Sequence, residues 1–142
     1  MVKKKHTRRT QNNKRNKSLT IFGINCNGLS GKRESLAANI EILKPLVFFI
    51  QETKFMKKGL FKHNNFEIFE CIRKSGGGSI LTGIDRSLNP ILISDGSDDD
   101  TEILVVEGEI GNKKCRFING YGPQECADVD KRVKFFANLK KK

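Results

Sequence analysis

The sequence has little proline, histidine or tyrosine and no long apolar run. Its 142 residues include three prolines, two histidines, one tyrosine and no tryptophan. The longest apolar run, residues 46–50 (LVFFI), is far shorter than the roughly 20 apolar residues that span a bilayer. No apolar segment follows the basic N-terminal residues, so no secretory signal is expected. These absences predict a soluble intracellular protein, nuclear or cytoplasmic, that is neither secreted nor bound in a membrane.

The cysteines do not form a metal-binding or redox pattern. None of the four is part of a Cys-x-x-Cys pair, which argues against a zinc ribbon or a thioredoxin-like site. Free thiols that pack as small apolar side chains, in a reducing compartment, are the expected state. The four are Cys26, Cys71, Cys115 and Cys126.

Basic charge is concentrated near the N terminus. The formal net charge is +11, and residues 1–17 carry eight cations and no acid. This pattern predicts a disordered basic arm over residues 1–17 that contacts nucleic acid, because such a run repels itself and attracts phosphates. A nuclear import signal and a solubilising leader are the alternatives. The predicted nucleic-acid contacts of the arm are Lys3, Lys4, Lys5, Arg8, Arg9, Lys14, Arg15 and Lys17.

The first folded segment is predicted to be a strand, a helix and a second strand. Residues 18–28 form a nearly continuous apolar run, which indicates a strand covered on both faces. Residues 30–44 carry Leu36, Ile40 and Leu43 at helical spacing, and Pro45 ends the pattern. Residues 46–50 then predict a second buried strand. A strand–helix–strand order favours a parallel pair.

The rest of the chain changes to shorter, alternating patterns. Further strands are predicted at residues 66–72, 80–84, 90–93, 101–110 and 114–119, with a helix at 127–139. Gly111 and Asn112 indicate a hairpin turn. On the last helix, Val133, Phe136 and Ala137 share one side. The acidic stretch at 95–100 lacks the spacing of a calcium-binding loop and predicts a solvated turn. The fold class is therefore α+β (α/β layered), with a mixed sheet and flanking helices.

Polar side chains follow each strand of the predicted parallel pair. Asn25 and Asn27 come at the end of the first strand, and Glu52 and Lys54 follow the second. The carboxyl ends of parallel strands meet at one edge of a sheet, so these side chains could converge. Carboxylate and amide oxygens suit a hard cation such as Mg²⁺. Lys54 would lie on the same side as Glu52 in an extended chain. An ordinary turn and a solvated strand end are the alternatives.

Four motifs occur in order along the chain: INCNGL (24–29), FIQETK (49–54), the glycine-rich turn and strand at 75–81, and NGYGP (119–123). Together they resemble the endonuclease/exonuclease/phosphatase superfamily, in particular apurinic endonucleases and the endonucleases of LINE-type retrotransposons. The resemblance implies that residues 18–142 form a truncated domain. Its fold would be the N-terminal half of the family's four-layer α/β sandwich. Such a half is expected to leave the inner face of one sheet exposed.

The resemblance also implies roles for individual residues. Glu52 matches the metal-binding glutamate, and Asn27 lies where some members have a second polar group near the metal. Asn25 matches an asparagine that lines the metal and phosphate site, and Tyr121 matches a tyrosine beside the scissile phosphate. Lys54 matches a frequent lysine that would contact nucleic acid. The implied cofactor is Mg²⁺ or Mn²⁺.

The resemblance stops short of a complete catalytic set. The histidine–aspartate pair and the Asp-x-Asn stretch of the family have no counterpart, because His6 and His63 both occur too early. The implied parent activity is metal-dependent phosphodiester hydrolysis of DNA, incomplete in this chain alone. The implied nucleic-acid partner is DNA, with RNA as the alternative. A second polypeptide supplying the C-terminal half is the implied partner. A non-catalytic nucleic-acid- or partner-binding remnant, and a phosphatase of the same superfamily, are the alternatives.

Overall fold

A computed structural model describes residues 18–98 and 101–142 of the chain. The predicted basic arm, with its eight cations, lies outside the described residues. Two short 3-10 helices lie at Ser30–Lys32 and Arg86–Leu88. The helices are α1 (Arg33–Leu43) and α2 (Val129–Lys140). The strands are β1 (Ile21–Asn25), β2 (Val47–Gln51), β3 (Phe66–Cys71), β4 (Ile80–Asp85), β5 (Ile91–Ser97), β6 (Glu102–Ile110) and β7 (Lys113–Tyr121).

The first sheet is mixed and has the strand order β1-β2-β4-β3. β1 and β2 are parallel, as the strand–helix–strand pattern predicts, and both other pairs are antiparallel. Helix α1 covers one face, because Leu36 and Ile40 pack into a core with Phe48 and Ile50. The helix ends at Leu43, and the next residue, Lys44, has a left-handed backbone conformation before Pro45.

The second sheet is antiparallel and has the order β5-β6-β7. β6 and β7 form the predicted hairpin, with Gly111 at φ +62° in the turn. The two sheets pack face to face, since Ile80 and Ile84 share a buried cluster with Leu104 and Phe117. The predicted mixed sheet is confirmed in the first sheet, and the second sheet is purely antiparallel. The prediction of an uncovered inner sheet face is wrong. The second sheet supplies that cover.

Two predicted strands differ in the structure. β1 is exposed rather than covered on both faces, with Ile21 at 49% and Ile24 at 44% exposure, because it lies at the sheet edge with β2 as its neighbour. β5 is longer than predicted and takes Asp95 into its pairing with β6. Asp98 accepts hydrogen bonds from the backbone amide and hydroxyl of Thr101. Residues 99 and 100 of the predicted turn lie outside the described residues.

The apolar face of α2 also differs from the prediction. Val133 and Phe136 are 61% and 59% exposed, whereas Phe135 is buried against Ile103 and Val105 of β6. Leu139, one turn later, packs with Phe135. The side that holds Phe135 therefore covers the outer face of the second sheet. No helix within residues 18–98 and 101–142 is long and apolar enough to cross a membrane.

Candidate functional site

Backbone hydrogen bonds join the two loops that follow β1 and β2. The amide of Cys26 donates to the carbonyl of Gln51 at 3.0 Å, and the amide of Gly28 donates to the carbonyl of Glu52 at 2.7 Å. A further bond of 2.9 Å runs from Leu29 to Thr53. The loops thus continue side by side past the strand ends. This pairing fixes the distance between the residues predicted to carry the chemistry.

The backbone of these loops is strained. Asn27, Glu52 and Lys54 have φ values of 45°, 53° and 55°, in the left-handed region that non-glycine residues rarely adopt. Each such residue costs on the order of 1–3 kcal/mol and persists where the surroundings hold it. The chain therefore does not stay extended after Gln51, which corrects the geometry assumed for Lys54. Strain of this kind is typical of binding and catalytic positions.

Glu52 is the centre of the site. Its Oε1 accepts one hydrogen bond from Asn25 Nδ2 and one from Tyr121 OH, both at 2.8 Å. The Asn25 amide, and next the Tyr121 hydroxyl, hold the pKa of Glu52 below its usual range. Within the part of the chain that the structure describes, no hydrogen bond engages the other oxygen, Oε2. Three residues predicted from separate motifs are thus in direct contact.

The Asn-x-Tyr spacing on β7 positions the tyrosine. Asn119 and Tyr121 point to the same face of the strand, toward the first sheet. Asn119 is buried and donates to the Leu81 carbonyl at 2.9 Å, and its Oδ1 accepts from Gln51 Nε2 at 3.1 Å. Burial, followed by the hydrogen bond to Glu52, raises the pKa of Tyr121. Its hydroxyl is therefore a protonated donor at neutral pH.

Asn27 and Lys54 contact each other. Lys54 Nζ donates to Asn27 Oδ1, and the backbone amide of Asn27 donates to Asn25 Oδ1 at 3.2 Å. The oxygen predicted to bind a metal thus faces an ammonium group, and the metal role of Asn27 stays a prediction. Lys54 is exposed, and its charge also helps to lower the pKa of Glu52. Contact between Lys54 and nucleic acid likewise stays a prediction.

The sequence interpretation missed an ion pair beside the tyrosine. Arg73, just after β3, binds Glu102 of β6 with Nε–Oε1 and Nη2–Oε2 distances of 2.6 and 2.9 Å. Its Cζ lies 5.5 Å from the centre of the Tyr121 ring. The signal available in the sequence was Glu102 directly before the apolar run at 103–106, a position where a carboxylate needs a partner.

The residues of the site fit a weakly held hard cation. In the described ranges, no group of three or more His, Cys, Asp or Glu side chains is close enough to form a metal cage. Mg²⁺ does not need one, since it keeps several waters and is often held by one or two carboxylates together with substrate phosphates. Glu52 offers the ionised carboxylate, and Asn25 turns its amide nitrogen toward that carboxylate while its Oδ1 accepts from the backbone amide of Asn27. Closed structural metal sites do not fit this donor set.

Several solved structures share this architecture. An AP endonuclease from Leishmania major superposes with a TM-score of 0.63 at 16% identity, over 84% of this chain and 45% of its own. TDP2 from D. rerio, complexed with a single-strand DNA product, gives 0.61 at 14% identity, over 87% and 53%. TDP2 from C. elegans gives 0.58 at 13% identity, over 80% and 36%.

These solved structures are longer than the chain and differ from it strongly in sequence. No protein-family model matches the sequence, and no curated protein does. The aligned region spans 45%, 53% and 36% of the lengths of these three solved proteins. The AP endonuclease and TDP2 are members of one superfamily. Over the aligned region, the chain has the fold of the endonuclease/exonuclease/phosphatase superfamily.

Proposed function

We propose that the chain belongs to a metal-dependent nuclease that hydrolyses phosphodiesters in DNA. The observation that carries the proposal is the shared oxygen of Glu52, which meets both Asn25 and Tyr121 at 2.8 Å. Two further facts support it. One structural neighbour is named an AP endonuclease, and another was solved with a DNA product. The net charge of +11 favours a polyanionic partner.

Each residue would have a separate task in the reaction. Ionised Glu52 would hold Mg²⁺ or Mn²⁺, which when bound neutralises phosphate charge and orients the attacked group. Asn25 fixes the orientation of the carboxylate through its amide. Tyr121 stays protonated because its pKa is raised, and its one O–H donates to Glu52 and orients that carboxylate. Lys54 adds positive charge at the same edge.

Within residues 18–98 and 101–142, no histidine lies beside Glu52 to transfer a proton in such a reaction. His63, the histidine in the described ranges, binds Glu41 with Nε2–Oε1 at 3.1 Å and packs on the ring of Phe66. It is thus engaged at the α1 side of the first sheet, whereas a general base needs hydrogen-bond reach to the attacking water. We propose that a second polypeptide or segment supplies this group.

Metal binding gives the direct test. Mn²⁺ titration followed by electron paramagnetic resonance should show a site in the wild-type chain that Glu52→Gln removes. Glu67→Gln is the matched control, because Glu67 is a partly exposed carboxylate on β3 that pairs with Arg86. Loss of Mn²⁺ binding in Glu52→Gln alone supports the proposal. Equal Mn²⁺ affinity in both variants would contradict it.

Cleavage gives the second test. Nicking of supercoiled plasmid with Mg²⁺, by the chain supplemented with the part of a solved relative that this chain does not cover, should fall in Glu52→Gln. We expect a loss on the order of a hundredfold, as for removal of a group that stabilises transition-state charge. The control Glu67→Gln should nick at the wild-type rate. Nicking by Glu52→Gln at that rate would rule out this site.

A non-catalytic nucleic-acid-binding protein is the second candidate. The observation that favours it is the charge distribution, since eight of the cations stand in residues 1–17, apart from Glu52. In that case DNA binding is salt-sensitive, is unchanged by Glu52→Gln, and leads to no cleavage with either metal. Metal-dependent nicking that requires Glu52 would exclude this candidate.

A further inference from the structure

Glu102 is a carboxylate in an apolar position. It opens β6 between the two sheets and is fully buried. Its Oε1 accepts the backbone amide of Ser79 at 2.9 Å, and both oxygens accept the fork of Arg73. A bidentate pair of this kind fixes the plane of the guanidinium. Because buried ion pairs contribute little net stability, the consequence of this one is geometric rather than energetic.

The glycine-rich turn before β4 is shaped around this ion pair. A Cβ built on Gly78 would overlap Glu102 Oε1 and lie 2.7 Å from Arg73 Cζ. Any side chain at residue 78 would thus displace the pair. The third glycine of the turn makes room for the guanidinium next to the carboxylate. The turn, β6 and the end of β3 therefore meet at one point.

Arg73 connects the ion pair to the tyrosine. Glu102 and Tyr121 are direct partners across the β6–β7 hairpin, and the guanidinium carbon lies 5.5 Å from the ring centre of Tyr121. At this distance a cation is attracted to an aromatic face. At its far end the same ring donates its hydroxyl to Glu52 at 2.8 Å. The chain of contacts runs Glu102, Arg73, Tyr121, Glu52.

We infer that Arg73, anchored by Glu102, is a positioning residue that holds the Tyr121 ring so that its hydroxyl reaches Glu52. Arg73 acts through the tyrosine and not on the reacting atoms. The consequence for cleavage rests on the proposed function, whereas the positioning itself does not. Removal of the guanidinium should change the population ratio of two ring positions, one bonded to Glu52 and one not. The expected change is on the order of fivefold, which corresponds to one cation–π contact.

The composition of the chain allows a direct measurement. Tyr121 is the only tyrosine and tryptophan is absent, so tyrosine emission reports on this ring alone. An ionised carboxylate that accepts a hydrogen bond from the phenol quenches that emission. Arg73→Met should therefore raise the emission and weaken the near-ultraviolet dichroism of the tyrosine. Arg86→Met is the matched control, because Arg86 pairs with a glutamate, Glu67, on the surface.

A double-mutant cycle separates positioning from a general loss of structure. In a Glu52→Gln background, where the quenching carboxylate is gone, Arg73→Met should cause no further rise in emission. If Arg73→Met alone does not fold, the apolar pair Arg73→Met/Glu102→Leu replaces it, since this removes the uncompensated buried charge. Emission and dichroism equal to wild type in the folded variant would overturn the inference. Failure of the proposed function would appear instead in Mn²⁺ binding and nicking.

Discussion

At the scale of single residues, one hydrogen bond couples the ionisation of two groups. Tyr121 donates to Glu52, and this contact helps to lower the pKa of the carboxyl and raise the pKa of the phenol. The two pKa values move apart, so Glu52 stays ionised and Tyr121 stays protonated over a wide pH range. Shifted pKa values of this kind cluster at functional sites.

Glu52→Gln should lower the pKa of Tyr121. The substitution removes the negative charge and the carboxylate acceptor that raise it, while burial of the ring remains. Absorbance of tyrosinate during an alkaline titration measures this value directly, because the chain has a single tyrosine. The control Glu67→Gln should leave the titration unchanged. An unshifted curve for Glu52→Gln would show that the two side chains do not bond in solution.

Asn25→Ala should make the stability of the protein less dependent on acid pH. The Asn25 amide is the main cause of the lowered pKa of Glu52. A group whose pKa is lowered on folding stabilises the protein above its unfolded pKa, and this stability is lost as pH falls through the folded pKa. Urea unfolding should therefore separate the wild type from Asn25→Ala at neutral pH. The Glu52-linked part of that difference should shrink at pH values below both pKa values of Glu52; a pH-independent difference contradicts the assignment.

At the scale of elements, local sequence signals predicted the features that neighbouring residues determine, namely helix ends and hairpin turns. Leu36, Ile40 and Pro45 placed α1, and Gly111 with Asn112 placed the hairpin. Sheet membership was not predictable, because alternation shows which face is buried and not which strand lies beside it. The face of α2 was missed for a similar reason. Phe135 and Phe136 are adjacent apolar residues, and only the position of β6 decides which one is buried.

Gly83→Ala tests how tightly the central strand packs. Gly83 on β4 lies opposite Phe48 of β2, and an added Cβ would overlap the buried Phe48 ring. Overpacking of this kind costs about 1–3 kcal/mol, which urea unfolding would measure. Gly96→Ala on β5 is the control, because nothing lies within 4 Å of its added Cβ. Equal stability of the two variants would show that the core around Phe48 can adjust.

At the scale of the whole molecule, the site was partly readable from sequence. Asn25, Glu52 and Tyr121 were predicted because each follows a strand in a recognisable motif, and the fold brings them into contact. Arg73 and Glu102 were not, since an arginine beside a glycine-rich turn gives no pattern and its partner is 29 residues away. The ion pair depends on the stacking of two sheets, which no local signal specifies.

Deletion of residues 1–17 should remove most of the salt dependence of DNA binding. The arm carries eight cations, and each neutralised phosphate contributes about −0.9 to the slope of log affinity against log salt. Loss of the arm should therefore reduce the slope by as much as about seven. Fluorescence anisotropy of a labelled duplex over a salt series measures this change. An equally long Gly/Ser arm is the control for length, and it should behave like the deletion. A slope unchanged by both variants would place the DNA contact on the folded domain, beside Lys54.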